Sequence, residues 1–205
     1  SSNSKNQPFL TVLVPVFNEE NSLPGVLEEL IPHCRQENWK LILVDDGSTD
    51  GTSRILAHYG NIPGVRIIRH KVNRGYGGAL KTGINQVDTP YLVTLDADGQ
   101  HAVSDVAVLF QYAIAEQADL VIGKRGRQPG SGVYRRLGRW LIRSFASLLM
   151  PIHVTDLNSG FKLYRSELAK KFLVLCPDSM AFSDVITLVF IKKRALVLEH
   201  PITIN

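Results

Sequence analysis

The sequence predicts a single α/β domain built on a mostly parallel β-sheet that is flanked by helices. Three observations predict this fold. Apolar runs rich in β-branched residues alternate along the chain with segments of helical periodicity. The runs are predominantly apolar rather than alternating between apolar and polar residues, as in strands that are buried on both faces. Polar clusters follow directly after several runs, where the carboxyl ends of parallel strands bind ligands.

The strands and helices are predicted in alternation. The first strands are expected at residues 9–16, 41–44, 65–69, 91–95 and 120–123, with helices between them at 22–34, 52–59, 77–86 and 103–117. Ser22 is expected to cap the first helix, with Pro24 in its first turn. After an apolar segment at 161–164, helices are expected at 166–172 and 183–193, and a last strand at 195–204.

The composition is that of one ordinary globular domain. Of its 205 residues, 44% are hydrophobic and 20% are charged, which suits a folded core. The formal net charge of +4 suits an anionic partner, whether nucleic acid, an anionic membrane surface or a phosphate-bearing substrate. Cys34 and Cys176 lie far apart without metal-ligand spacing, which favours a reduced, cytosolic setting.

Neither a signal segment nor a membrane span is expected in this sequence. Residues 1–8 are polar and are expected to form a disordered tail. No apolar run approaches the ~18 residues that crossing a bilayer requires.

The pair Asp96 and Asp98 follows the predicted strand at 91–95. Two carboxylates so spaced at a strand end can hold one divalent ion together with the phosphates that the ion bridges. Without the ion, the two acids would repel a phosphate. An Asp-x-Asp pair is weak alone, because solvated acids in a turn give the same pattern, and a lone histidine such as His101 is more often structural.

Two further polar segments follow predicted strands. In the segment 45–52, the residue types favour a turn, and Asp50 can cap the next helix. Alternatively, one of its first two aspartates accepts hydrogen bonds from a base or a ribose. In the glycine-rich segment 73–79, backbone N–H groups at a helix start and the cation of Arg74 would attract a phosphate. Tight packing explains these glycines equally well, and the segment is not a dinucleotide-binding motif.

A basic, glycine-rich loop at 124–132 is followed by an apolar stretch at 134–150 with recurring arginines. Arg135, Arg139 and Arg143 are spaced by four residues and would share one helical face. Such a helix could lie on an anionic membrane, or it could be an ordinary core helix with a solvated basic face.

Several motifs occur in an order that resembles the family 2 glycosyltransferases with the GT-A fold. They are VPVFNEE at 14–20, VDDGSTDGT at 44–52, NRG at 73–75 and DADGQH at 96–101. The segment DLNSGFKLYR at 156–165 resembles the dolichol-phosphate mannosyltransferase group, which includes bacterial polyprenyl-phosphate glycosyltransferases. The likeness extends over nearly the whole chain from Phe9. Each motif is modest alone, but the ordered set is highly specific.

The resemblance implies roles for individual residues. The nucleotide-sugar would be bound by Pro15, Phe17, Glu19, Asp45, Asp46, Arg74, Gly75 and Asp96. A Mg²⁺ or Mn²⁺ ion would be held by Asp96, Asp98 and Gln100. The acceptor phosphate would be bound by Arg125, Arg139, Arg143, Ser159 and Lys162. Catalytic roles would fall on Asp96, Asp98, Arg125 and Arg139.

The implied reaction is the inverting transfer of a hexose from a UDP- or GDP-sugar to a polyprenyl phosphate, such as dolichyl or undecaprenyl phosphate. It would take place at the cytoplasmic face of a membrane, and an ionised phosphate acceptor would need little help from a general base. Relatives often carry arginine at the position of Lys162. They usually continue with a further basic motif after the final strand, so 9–205 is expected to be a C-terminally truncated catalytic domain, with its membrane-proximal part at about 124–165.

Two alternatives remain open at this point. A glycosyltransferase of the same fold could act on a saccharide hydroxyl, with Asp184 as the general base. A catalytically inactive module could retain nucleotide binding alone. A nucleic-acid binder is disfavoured, because the arginine stretch lacks interleaved aromatic residues on strands and matches no recognition motif.

Overall fold

The computed structural model describes residues 8–97, 103–124 and 154–202. We call 8–97 the amino-terminal region and 154–202 the carboxyl-terminal region. The elements in chain order are β1 (Leu10–Val16), α1 (Leu23–Gln36), β2 (Lys40–Asp45), α2 (Thr52–Ala57), β3 (Val65–Arg69), α3 (Tyr76–Asn85), β4 (Tyr91–Thr94), α4 (Val103–Ala115), β5 (Leu120–Lys124), β6 (Lys162–Arg165), α5 (Ser166–Phe172), a 3-10 turn (Leu173–Leu175), α6 (Phe182–Lys192) and β7 (Val197–Pro201).

The described strands form one seven-stranded sheet in the order β3-β2-β1-β4-β6-β5-β7. Parallel pairs join β1 to β2, β1 to β4, β2 to β3 and β5 to β7. Strand β6 pairs antiparallel with both β4 and β5, so all the other strands run in one direction. The predicted α/β fold with a mostly parallel sheet flanked by helices is therefore confirmed.

Both faces of the sheet are covered, which explains why the strands are apolar at successive positions. In β1, Val12 and Val14 pack in one core with α1 and α4, whereas Leu13 between them packs in a second core with α3. The second core also receives α5 and α6. Burial raises the pKa of the Cys34 thiol to about 12 and that of the Cys176 thiol to about 11, which suits packing rather than reactivity.

The element boundaries differ from the predicted ones in a few places. Ser22 occupies the cap position of α1, but its hydroxyl donates to the Glu19 carboxylate instead of accepting a helix N–H. Helix α4 ends at Ala115 rather than at 117, because Gln117 adopts a positive φ of 53° that breaks the helix. The last strand is shorter than expected, at Val197–Pro201.

Several predicted features lie outside the described residues. They include most of the amino-terminal tail and the arginine stretch, with Arg125, Arg139 and Arg143, as well as Asp98, Gln100 and His101. Their expected roles therefore stay predictions, as do the predicted domain boundaries. Within the described ranges, no helix is long and apolar enough to cross a membrane.

Candidate active site

A cleft of about 440 Å³ lies at the carboxyl edge of the sheet. From the order of strands, the chain leaves β1 towards β2 on one side and reaches β4 on the other, and α/β sheets bind ligands at such a switch point. The residues that line the cleft are Pro15, Val16, Phe17, Glu19, Asp46, Asn73, Tyr76, Ala79, Asp96, Ala97, Asn158, Gly160, Met180 and Ser183. The cleft thus brings together five of the predicted nucleotide-sugar residues.

The loops after β1 and β2 are fastened to each other beside this cleft. Asn18 donates its backbone N–H to the Ser48 hydroxyl over 3.0 Å and accepts the Thr49 N–H over 2.9 Å. Its φ of 54° is a left-handed conformation that asparagine tolerates. The backbone N–H of Glu20 donates to Asp50 Oδ2 over 3.2 Å. These bonds hold the Pro15–Glu19 wall of the cleft against the turn that carries Asp46.

Asp50 was expected to cap α2, but Gly51 occupies the cap position and Asp50 lies one residue before it. Its Oδ1 accepts the backbone N–H of Thr52, the first residue of α2, over 3.0 Å. Because its other oxygen holds the preceding loop, Asp50 serves the local structure rather than a ligand.

Of the two consecutive aspartates at the end of β2, Asp45 is the last strand residue, and only Asp46, which follows it, lines the cleft. Its side chain is 5% exposed, and Oδ1 accepts hydrogen bonds from His70 Nδ1 over 2.6 Å and from the Arg74 backbone N–H over 2.8 Å. The other ring nitrogen of His70, Nε2, lies 2.9 Å from the Thr82 hydroxyl. No sequence pattern selects His70, because an isolated histidine has no spacing that marks it.

Asp45 does not reach the cleft, because consecutive side chains at a strand end point to opposite faces. It is 1% exposed, and its Oδ1 accepts the Ser48 N–H over 2.9 Å. Its Oδ2 accepts the Ser53 hydroxyl and lies 3.5 Å from Arg69 Nε. The expected contact between Asp45 and a nucleotide is replaced by a role in shaping the β2–α2 turn.

Asp96 enters the cleft from the end of β4. The Tyr76 hydroxyl donates to its Oδ1 over 3.0 Å. Burial and, next, the charge of Asp96 raise the pKa of Tyr76, so this phenol keeps its proton and stays a donor. On the other side, a Cβ placed on Gly160 would come within 2.3 Å of Asp96 Oδ2. The Asp96 carboxylate therefore lies between the Tyr76 hydroxyl and Gly160, where an added side chain would collide with it.

Asp96 is the one predicted metal ligand in the described part of the chain. A carboxylate oxygen beside a cleft is a suitable ligand for Mg²⁺ or Mn²⁺. Asp98 and Gln100, which would complete the set, lie in the undescribed segment 98–102. Across the described ranges, no group of three or more His, Cys, Asp or Glu side chains is placed to hold a metal.

The glycine-rich turn before α3 packs closely against the carboxyl-terminal region. Gly75 has a φ of +86°, and a Cβ there would lie 2.6 Å from the Asp178 carbonyl oxygen. A Cβ on Gly77 would lie 2.4 Å from the Pro177 carbonyl oxygen. The Gly78 N–H donates to the Asp178 carbonyl over 3.1 Å, so the start of α3 is covered by the carboxyl-terminal region. Arg74 contributes its backbone N–H to the site, whereas its side chain is exposed and does not line the cleft.

Ser159 and Lys162 are positioned differently from the expected acceptor contacts. Both are fully buried and neither lines the cleft. The Ser159 hydroxyl donates to the Gly123 carbonyl over 2.8 Å. Lys162 Nζ donates to the carbonyl oxygens of Leu157 over 2.7 Å and Ser183 over 2.5 Å. These side chains fasten the loop before β6 to β5 and α6, and the loop residues that do reach the cleft are Asn158 and Gly160.

Comparison with known proteins identifies relatives along most of the chain. The sequence model of glycosyl transferase family 2 matches residues 11–173. Undecaprenyl-phosphate 4-deoxy-4-formamido-L-arabinose transferase of Proteus mirabilis is 31% identical over 188 residues, which is 90% of this chain and 57% of that protein. An uncharacterized protein of Methanocaldococcus jannaschii is 35% identical over 179 residues, covering 83% of this chain and 70% of its own. The chain thus spans little more than half the length of the Proteus relative.

Solved structures share the fold. Glucosyl-3-phosphoglycerate synthase from Mycobacterium tuberculosis, in complex with Mn²⁺, UDP and phosphoglyceric acid, matches with a TM-score of 0.74 and 19% identity. That match covers 95% of this chain and 68% of the synthase. TarS 1-349 of S. aureus in complex with UDP-GlcNAc has a TM-score of 0.61 at 19% identity, covering 87% and 53% of the two chains. These likenesses confirm the predicted GT-A fold.

Proposed function

Because the chain belongs to glycosyl transferase family 2, we propose that it transfers a sugar from a nucleotide-sugar to the phosphate of a polyprenyl phosphate. The observation that carries the proposal is the cleft in which the carboxylates of Asp46 and Asp96, from two different strand ends, line one cavity of about 440 Å³. The name of the Proteus mirabilis relative, an undecaprenyl-phosphate sugar transferase, supports the choice of acceptor.

The donor would bind across the switch point of the sheet. Pro15 and Phe17 offer an apolar wall for the base, with Glu19 beside them, while Asp46 accepts a hydrogen bond from the base or the ribose. The sugar diphosphate would then lie towards Asp96. Neighbouring structures that hold UDP or UDP-GlcNAc support a nucleotide-sugar of this kind.

The divalent ion proposed here is Mg²⁺ or Mn²⁺, as in structural neighbours that hold either ion together with UDP. Asp96, Asp98 and Gln100 would hold it. When bound, such an ion neutralises the diphosphate that leaves the sugar. Tyr76 and Gly160 fix the Asp96 carboxylate from two sides, so this ligand is oriented before the donor arrives.

The acceptor phosphate would attack the anomeric carbon from the side opposite the nucleotide, which inverts its configuration. Such a phosphate is ionised near neutral pH, so the chain needs to orient it rather than remove a proton from it. We assign this task to the arginines at positions 125, 139 and 143, in a basic stretch that would lie on the cytoplasmic surface of a membrane. Ser159 and Lys162 would contribute indirectly, by holding the loop that carries Asn158.

One observation favours a second candidate, transfer to a saccharide hydroxyl. Asp184 follows the cleft residue Ser183, and burial raises the pKa of its carboxyl although the Lys162 ammonium opposes the shift. A carboxylate of raised pKa is a better general base for a hydroxyl acceptor. Transfer to a free saccharide that is lost in Asp184→Asn would favour this candidate over the lipid phosphate.

The test begins with binding and proceeds to transfer. Nucleotide-sugars are added to the protein with and without Mn²⁺, and a ligand that binds only the native state raises the melting temperature. The nucleotide-sugar that binds is then supplied with undecaprenyl phosphate in detergent, and sugar in the lipid fraction is measured. Binding without transfer to either kind of acceptor would support an inactive nucleotide-binding module instead.

The matched variants are Asp96→Asn and Asp88→Asn. We expect Asp96→Asn to lower the transfer rate by about 10²–10³-fold, because an amide lacks the negative charge that would hold the divalent ion beside the diphosphate. Asp88 is an exposed acid that pairs with Lys40 before β4, away from the cleft, so its variant should transfer at the original rate. Equal rates in the two variants would sink the assignment of this cleft.

A further inference from the structure

The two carboxylate oxygens of Asp46 have unequal surroundings. Oδ1 accepts two hydrogen bonds, from His70 Nδ1 over 2.6 Å and from the Arg74 N–H over 2.8 Å. Oδ2 accepts no hydrogen bond from the described residues, and it is not fully buried among them. Because Asp46 lines the cleft, Oδ2 is the one oxygen that this carboxylate leaves to a ligand.

His70 fixes this asymmetry from behind the cleft. The residue is 7% exposed, and its backbone N–H donates to the Asp45 carbonyl over 2.8 Å. Nε2 meets the Thr82 hydroxyl, while Nδ1 faces a carboxylate and must therefore carry the proton in both the neutral and the charged ring. Asp46 cannot turn its second oxygen away from the cleft without giving up these bonds.

We propose that Asp46, held in this way, accepts a hydrogen bond from a single N–H group of the base, so that the cleft selects a uracil nucleotide over a guanine nucleotide. The inference rests on the proposed function, since it takes the base of the donor to lie against Asp46. Uracil offers one N–H, at N3, between two carbonyl oxygens, and one donor meets one free acceptor.

Guanine presents two adjacent donors, N1–H and the 2-amino group, which suit a carboxylate with both oxygens free. Here the second donor would meet Oδ1, which already holds two N–H groups. A buried donor left without a partner weakens binding by about 10- to 100-fold. Cytosine is disfavoured for another reason, because its N3 is an acceptor and would face the carboxylate.

The apolar wall proposed for the base does not discriminate among bases in this way. Pro15 and Phe17 present apolar surface, and a base of any kind can stack on an aromatic ring. We therefore assign the choice between uracil and guanine to the hydrogen bonds of Asp46, with His70 as a positioning residue for that choice rather than a group that touches the nucleotide.

The test is the ratio of affinities for UDP and GDP, measured by calorimetry with the 205-residue chain at one Mg²⁺ concentration. The diphosphate and the ion are common to both ligands, so the ratio isolates the base. We expect UDP to bind at least about tenfold more tightly than GDP. In His70→Ala, UDP binding should weaken and the ratio should fall towards one, because Oδ1 becomes available to a second donor.

The matched control is His70→Asn, whose side-chain N–H can replace Nδ1–H and should preserve the ratio. Melting temperatures without ligand report whether each variant folds. Thr82→Val, which removes only the far partner of the ring, provides a milder loss of the ratio if His70→Ala fails to fold.

The possible outcomes separate this inference from the proposed function. If UDP and GDP bind wild-type protein equally, or if folded His70→Ala keeps the wild-type ratio, the inference is wrong while the nucleotide site stands. An equal loss of UDP and GDP affinity in His70→Ala would place the ribose, not the base, at Asp46 and would also overturn it. If no nucleoside diphosphate binds at all, the proposed function fails first and the inference fails with it.

Discussion

The amino-terminal and carboxyl-terminal regions both carry polar motifs, but they use them differently. In the amino-terminal region, Asp46 follows β2 directly, Asp96 follows β4 after one residue, and both line the cleft. In the carboxyl-terminal region, Ser159 and Lys162 are fully buried and donate to main-chain carbonyl groups. A polar residue in a family motif can therefore contact a ligand or fasten the backbone, and its position relative to the end of a strand decides which.

The direction of β6 explains this difference. When a parallel strand ends at the carboxyl edge, residues that follow it can line the cleft, as Asp46 does after β2 and Asp96 after β4. Lys162 instead lies within β6, which runs the opposite way, and it pairs with Thr94 of β4. Its side chain is consequently part of the layer beneath the cleft, where an ammonium group must find hydrogen-bond acceptors in the protein.

The largest effect is expected where the two regions meet, at Gly160. An alanine Cβ would lie 2.3 Å from Asp96 Oδ2, so the carboxylate must move. We expect Gly160→Ala to lower the transfer rate by about 10²-fold, since a displacement of that order at a reacting site has such a cost. Steady-state assays measure it, and the comparison with Gly25→Ala provides the control.

Gly25 lies in α1 and has no atom within 4 Å of an added Cβ. Gly25→Ala should therefore keep full activity and unfold slightly less readily, because alanine favours the helix by roughly 0.5–1 kcal/mol. Unchanged transfer by a folded Gly160→Ala would mean that the carboxyl-terminal region does not constrain the Asp96 carboxylate.

A smaller effect on activity but a large one on stability is expected for Lys162→Met. The substitution keeps the apolar stem and leaves the Leu157 and Ser183 carbonyls without their donor. We expect a loss of about 2–4 kcal/mol in the free energy of unfolding, measured by urea denaturation. The exposed Lys171 provides a matched variant, Lys171→Met, which should change stability by less than about 0.5 kcal/mol.

A Lys162→Met protein of normal stability that binds the lipid acceptor poorly would break the comparison. Lys162 would then contact the acceptor after all, and the carboxyl-terminal region would use its motif as the amino-terminal region does.

The smallest effect is expected for Asp184→Asn, and it depends on pH. Burial raises the pKa of the Asp184 carboxyl above its ordinary value of 3.8, so the native state binds its proton more tightly than the unfolded state. The contribution of the Asp184 carboxyl to the free energy of unfolding is thus present at low pH. It is lost as the pH rises above 3.8 towards the raised pKa of the native state. Asp184→Asn should raise the melting temperature slightly at pH 7 and not at pH 3. A lower melting temperature at pH 7 would contradict this.

Much of the amino-terminal region could be predicted, because its signals are local. Predominantly apolar runs located the buried strands, and the acids after β2 and β4 followed from strand ends. Which of two consecutive aspartates reaches the cleft depends on the alternation of side chains at the last strand residue. The sequence pattern could not decide between Asp45 and Asp46 because a boundary shift of one residue reverses the answer.

The carboxyl-terminal region was less predictable for a different reason. Periodicity identifies a strand but not its direction, so the antiparallel pairing of β6 was not foreseen. The burial of Lys162 follows from that pairing and from α6, which is distant along the chain. The contribution of His70 likewise arises from contacts with Asp46 and Thr82, which only the folded chain brings together.

The reversed strand β6 also determines the order in which the sheet can assemble on a ribosome. Strands β1 to β4 pair with one another as soon as they emerge, because all their mutual partners lie within residues 10–94. Strand β5 is different, since both its neighbours, β6 and β7, are synthesised later. At ordinary elongation rates it waits about 2–8 s for β6, with an apolar edge unpaired.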